Sequence, residues 1–349
     1  MRKCSSLAVV LLSAAPVLVA LGAAPGPGEG KEDTVLVPVV QGDWWRIAGD
    51  DPDVSPFRIV EDGGSNTCDF TVYRDADETW HAIACVRGTS APGQRVLHHW
   101  TSESLEAEDW RPRGILDWPR GSNLQGEPTA IQAPHAFEHR GKYYCFYNSA
   151  GAARAMVSDD GIQWSVFTNI QGEESIFRMG RDVNLFHDLE RSRWQATYTG
   201  GWPGGKRHAM VARTAPELAG PWSDPPFPVK TEGNPESPFL LKRGRHYYLF
   251  QQMEVFISDR PTHFEGAPLT HMTGIWYGGK WAPEVVTHDG QDYLAGYGRG
   301  LWLARLTWVE MTPAEAEAHA RPILEEVRAG RAAAEERRRE RERRDQSDE

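Results

Sequence analysis

Three acidic residues stand at matching places along the chain. They are Asp69 in Cys68-Asp69-Phe70-Thr71-Val72-Tyr73, Asp182 in Arg181-Asp182-Val183-Asn184-Leu185-Phe186, and Glu236 in Glu236-Ser237-Pro238-Phe239-Leu240. Each opens a short, largely apolar run. If those runs point into one funnel, the carboxyls repel one another, and the repulsion raises one pKa enough to keep that group protonated near neutrality. A protonated acid beside an ionised base or nucleophile is what cleavage of a glycosidic bond needs. These three are the expected catalytic groups. Arg181, beside Asp182, fits a substrate clamp or a surface ion pair. Gln132 and His135 precede and open a similar run and suit either sugar hydroxyls or structural hydrogen bonds. Glu284, in Trp281-Ala282-Pro283-Glu284, marks a fifth such place, and Trp202 suits stacking on a sugar face. These five are the expected substrate contacts. With neither CxxC nor HExxH present, no metal and no cofactor is expected.

The elements that must hold these residues repeat. A short strand, a charged turn and an aromatic second strand recur, as in Cys68–Tyr73 with Trp80-His81-Ala82 and Glu236–Leu240 with Tyr247-Tyr248-Leu249. Taking Asp69, Pro134, Asp182, Glu236 and Glu284 as markers, the units lie 65, 48, 54 and 48 residues apart. Five units of about fifty residues with four strands each predict an all-β, five-bladed β-propeller. A β-sandwich would not place an equivalent aromatic hairpin in every unit. Most tryptophans, Trp164 and Trp222 among them, are expected to pack blades. The run Ser158-Asp159-Asp160-Gly161-Ile162-Gln163-Trp164 resembles a sialidase Asp-box, which marks a turn between strands and not catalysis.

The chain has 349 residues, 25% charged, with a net charge of −11. That balance argues against a nucleic-acid partner. Arg2 and Lys3 precede an apolar stretch over 7–21 and the small residues Gly22, Ala23 and Ala24, the order of a secretory signal. The expected organisation is a signal over 1–24, a linker and lead-in segment over 25–45, the propeller over 46–309 and a charged helical or disordered tail over 310–349. The product is expected to be secreted or periplasmic and, once the signal is removed, to have no membrane segment. The tail has few apolar residues beyond Ile323, Leu324 and Val327, and a sugar-cleaving funnel is expected to be indifferent to its removal. Cys68 and Cys85 flank one turn symmetrically, so export predicts a disulfide between them, with Cys145 a buried thiol.

At this point the sequence resembles the five-bladed propeller glycosidases of glycoside hydrolase family 43 and, more distantly, family 32, over about residues 55–309. Arg181-Asp182 resembles the Arg-Asp-Pro element whose Asp holds substrate hydroxyls and stabilises the transition state. Glu236-Ser237-Pro238 resembles the Glu-small-Pro element that carries the general acid of family 43. Asp69 falls where the first-blade Asp serves as general base or nucleophile. The resemblance implies hydrolysis of an oligo- or polysaccharide, a furanoside of arabinoside or fructoside type, with inversion through an Asp69-activated water, whereas a short carboxyl separation would imply retention with Asp69 as nucleophile. Val183 and Phe70 stand where that group has Pro, and these departures motivate the alternative of a non-catalytic carbohydrate-binding propeller. Some relatives carry a calcium ion in the channel, for which this sequence shows no ligand constellation.

Overall fold

Turn residues fold each strand back on the one before it. Arg140-Gly141 and Asp289-Gly290 both have φ > 0 at both positions, the backbone of two-residue hairpins whose twist matches the strands they join. Gln252-Met253 adopts the same conformation at φ 47° and 70° without a glycine. There the Met253 side chain is fully buried, so packing between blades offsets the backbone strain.

The computed structural model describes residues 33–48, 52–61, 66–116, 131–205, 208–233, 235–272 and 280–347. The expected signal over 1–24 lies outside them. Strand β1 is Val35–Ala48. Blade one comprises β2 (Thr67–Arg74), β3 (Trp80–Arg87), β4 (Arg95–Ser102) and β5 (Arg111–Ile115). Blade two has β6 (Gln132–His139), β7 (Lys142–Ser149), β8 (Ala152–Ser158), β9 (Ser165–Phe167) and β10 (Phe177–Arg178). Blade three has β11 (Arg181–Asp188), β12 (Arg193–Gly200), β13 (Ala209–Ala215) and β14 (Phe227–Lys230). Blade four has β15 (Pro238–Arg243), β16 (His246–Gln251), β17 (Glu254–Ser258) and β18 (Thr270–His271), and blade five has β19 (Trp281–His288), β20 (Gln291–Tyr297) and β21 (Leu301–Met311).

The first strands touch in a closed circle, β2–β6–β11–β15–β19 and back to β2. This is the expected five-bladed propeller. One boundary differs from expectation. β1 runs antiparallel to β21, from Val35 opposite Met311 to Ala48 opposite Leu301, and is the fourth strand of blade five. The lead-in segment expected over 25–45 therefore contains most of a blade strand. The last blade lacks an outer strand of its own, and pairing with β1 satisfies the open edge of β21.

The hydrophobic core lies between blades. Phe70, Trp100 and Leu303 join blades one and five, while Phe146, Trp194 and Tyr198 join two and three. Tyr73, Tyr147 and Met156 belong to the seam between one and two, Leu249 and Met210 to that between three and four, and Phe250 and Leu294 to that between four and five. Each fully buried aromatic contributes about 1.5–3 kcal/mol by leaving water, so this ring of seams supports an open channel. Trp164 and Trp222 pack against such seams. In the Asp-box run, Asp160 Oδ1 accepts from the amides of Ile162 and Gln163 at 2.8 Å each, which makes it the expected turn.

Helix α1 (Pro313–Ser347) starts with Thr312 and Glu315 capping each other's amides. Ala316, Ala320 and Val327 are its buried residues, whereas Ile323 and Leu324 are only half-buried. Among the described residues no helix is long and apolar enough to cross a membrane. Cys68 and Cys85 are cross-strand partners, as their spacing implied, but both are free thiols, as is buried Cys145. The expected disulfide is not formed. The Cys68 and Cys85 side chains are instead hydrogen-bonded to each other.

Candidate active site

Five residues at the mouths of the inner strands share one backbone state. Asp69, Ala133, Asp182, Ser237 and Ala282 all have left-handed φ, between 28° and 60°. In four blades the strand register slips there, a bulge that re-aims a side chain. Together with the residues that follow them, these five line the mouth of the channel. The true fivefold frame is therefore 69, 133, 182, 237 and 282, not 69, 134, 182, 236 and 284. Asp69 and Asp182 are equivalents. Glu236 lies one position before the frame, where the other blades have Cys68, Gln132, Arg181 and Trp281. Glu284 lies two positions past it, level with Thr71, His135, Asn184 and Phe239.

The three expected catalytic carboxyls come together. Arg181 Nη2 lies 2.7 Å from Glu236 Oε1, and Arg181 Nε lies 3.4 Å from Asp182 Oδ2. Asp182 is buried, with its amide donating to Asn148 Oδ1 at 3.2 Å. Burial, followed by the charges of Asp69 and Glu236, pushes the Asp182 carboxyl up to about 8, against the pull of Arg181 and the Ser237 amide. Asp69 keeps a strip of surface on the channel mouth but is otherwise enclosed by protein. Burial and the charge of Glu236 push it to about 6, against Arg95, Arg87 and Arg181. Near neutrality Asp69 is thus largely ionised while Asp182 keeps its proton. Glu236 faces Arg181 in ion-pair geometry and accepts from Gln252 Nε2 at 3.3 Å with its other oxygen.

The expected binding residues divide. Arg181 is in the cluster, and Gln132 sits one position before the frame, half-buried. His135 is buried, with Nδ1 2.8 Å from Glu284 Oε1 and Nε2 3.3 Å from Asn184 Nδ2. Asn184 Oδ1 in turn accepts from the Leu240 amide at 2.9 Å. This chain of bonds braces blades five, two, three and four across the channel and takes up His135, which is therefore not open to sugar. Glu284 remains at the channel mouth with one oxygen engaged by His135. Trp202 packs against the seam of blades two and three, the Gly205 backbone lies against its ring, and it does not line the mouth.

Sequence reading missed several residues. Arg87, Arg95 and Tyr297 sit within electrostatic reach of Asp69 from the ends of β3, β4 and β20, and no motif marks strand ends. Trp281 and Gln252 line a groove beside Glu236. Trp281 was findable as the residue before the bulge in blade five. Among the described residues no group of three or more His, Cys, Asp or Glu stands together as a set of metal ligands.

The open space over the bulge ring is about 30 Å³, room for one or two waters. Glu236 also borders a separate groove of about 650 Å³.

Fold and site together define a five-bladed propeller with a carboxyl cluster at the mouth of its channel. No protein-family profile matches the sequence, and no curated protein matches it. Among solved structures, the chain is similar in fold to a family-43 β-xylosidase/α-arabinofuranosidase from a compost microbial metagenome, in complex with xylotriose. The identity is 14% over 78% of this chain and 95% of that one, with a TM-score of 0.50. An exo-1,5-α-L-arabinanase from a bovine ruminal metagenomic library is 18% identical over 71% of this chain and 93% of that one, with a TM-score of 0.49.

Proposed function

We propose that the protein is an exported glycoside hydrolase that cleaves a furanoside linkage of arabinoside or fructoside type. The observation that carries this reading is the meeting of Asp69, Asp182 and Glu236 at one channel mouth, with Arg181 between two of them. The fold is one that family-43 hydrolases use, which supports the reading by analogy, and the xylotriose held by one of them supports an oligosaccharide as substrate. Export rests on Arg2, Lys3 and the apolar stretch that follows.

In this reading the Asp69 carboxylate takes a proton from a water in the small space over the ring. The water oxygen attacks the anomeric carbon as its bond to the leaving oxygen breaks, and Glu236 passes its proton to that oxygen. Glu236 is suited to the acid role because it borders the groove, where the leaving group lies. The proton that Glu236 delivers is held by Asp182 in the free protein; Asp182 passes it to Glu236 when substrate binds, and is left as a carboxylate. Asp182 stabilises the oxocarbenium-like state. A water-sized compartment on the base side favours inversion, since attack and departure then occupy opposite faces of the sugar.

The Arg181–Glu236 ion pair favours a second reading, a sugar-binding propeller without catalysis, because it engages the side chain that would have to act as the acid. A screen of aryl furanosides, aryl pyranosides and short oligosaccharides against wild type and Glu236→Gln separates the two. Hydrolysis of a furanoside that falls in Glu236→Gln supports the hydrolase. Binding without turnover of any substrate leaves the second reading.

A further inference from the structure

The groove past Glu236 has walls that the funnel does not share. Lys230, from the end of β14, is 3% exposed, and its ammonium sits 4.1 Å from the centre of the Phe256 ring. Among the described residues it has no ion-pair partner. Gln251 is equally buried, and among the described residues its Oε1 accepts no hydrogen bond. An unpaired donor and an unpaired acceptor at one buried surface are costly unless a ligand meets both. Trp281 adds a flat apolar ring to the same wall.

The far wall comes from the C-terminal helix. Arg331 of α1 lines the groove, and its Nη2 lies 2.6 Å from Glu254 Oε1. Glu254 is thereby neutralised, as Glu236 is by Arg181. What is left facing the space is a donor, an acceptor, an aromatic face and the exposed Glu232, which accepts from the Gly266 amide and balances the Lys230 charge, a set of zero net charge that matches a neutral sugar. A hydroxyl both donates and accepts, and the C–H face of a sugar ring stacks on indole.

We propose that this groove binds the leaving-group end of a neutral oligosaccharide through Lys230, Gln251 and Trp281, and that α1, through Arg331, forms its outer wall. The assignment deepens the hydrolase reading by giving Glu236 a leaving group to protonate, and it makes the tail part of the site, contrary to the indifference expected from sequence.

The test measures binding by calorimetry in the full-length Asp69→Asn chain, using linear arabino- and xylo-oligosaccharides of two to five units. Affinity should rise with length. Adding Lys230→Ala, or separately Arg331→Ala, should weaken the longer ligands about 10-fold, the scale of one lost charge-assisted hydrogen bond, while a stop after Ala334 should change nothing. Length dependence that survives Lys230→Ala overturns the sugar groove, and length dependence that survives only Arg331→Ala overturns the helix wall. Tighter binding of uronic-acid oligomers than of neutral ones overturns the neutral assignment. Binding with the expected length dependence, alongside a wild type that cuts no substrate, supports the groove and sinks the hydrolase reading alone.

Discussion

Arg181 Nη2 lies 2.7 Å from Glu236 Oε1, and in the fivefold frame these two residues occupy the same position in neighbouring blades. A cation and an anion at equivalent places therefore meet side by side over the channel. Arg181 also reaches toward Asp182, so one guanidinium links the carboxyl that keeps a proton with the carboxyl that must deliver one.

If Glu236 protonates the leaving oxygen, Glu236→Gln keeps the shape of the side chain and loses the acid. General acid catalysis is worth roughly 10²–10⁴-fold. Turnover of a natural linkage should fall by that much, and turnover of an activated aryl glycoside far less, because a good leaving group departs unprotonated. Asp69→Asn should impair both substrates. Equal losses for both in Glu236→Gln remove Glu236 from the acid role.

The pH profile follows from Asp69 near 6 and Asp182 near 8. Activity needs Asp69 ionised and one proton retained on the coupled pair. Plotted against pH, kcat/KM should rise through about 6 and decline through about 8. In Asp182→Asn the decline should move. A profile flat across both limits contradicts the shared-proton arrangement.

Stability should show the same group from the other side. An unfolded Asp titrates near about 3.9, whereas folded Asp182 titrates near 8. Between those values the native state holds a proton that the unfolded chain releases. The stabilisation from that proton is complete below about 3.9 and is lost as pH rises through 8. The melting temperature of Asp182→Asn relative to wild type should therefore climb over that interval. A constant difference between the two proteins counts against the raised pKa.

Cys68 and Cys85 face each other across β2 and β3 with their side chains in hydrogen-bond contact. Mild oxidation of the folded protein should join these two and leave Cys145, which is fully buried, as a thiol. Peptide mapping by mass spectrometry reads the result, and a bridge involving Cys145 would contradict the register.

The blades were legible because their determinants are local. Alternating apolar residues, charged turns and aromatic second strands recur in the chain itself, and a period near fifty residues needs no tertiary knowledge. The acidic residues at strand mouths were visible for the same reason. The frame was misread by a residue at Pro134 and at Glu236 and by two at Glu284 because the left-handed bulge is a backbone state that residue type does not mark: Asp69, Ala133 and Ser237 all adopt it. Tertiary structure alone decided the rest. β1 closes a blade formed some 250 residues later, His135 is spent bracing the channel, Trp202 packs half-buried against a blade seam, and Arg331 of the tail stands at the groove. Each of these depends on which distant segments become neighbours. The protonation of Asp69 and Asp182 depends on it too, since burial and charges from other blades set those pKa values and neither is encoded in adjacent residues.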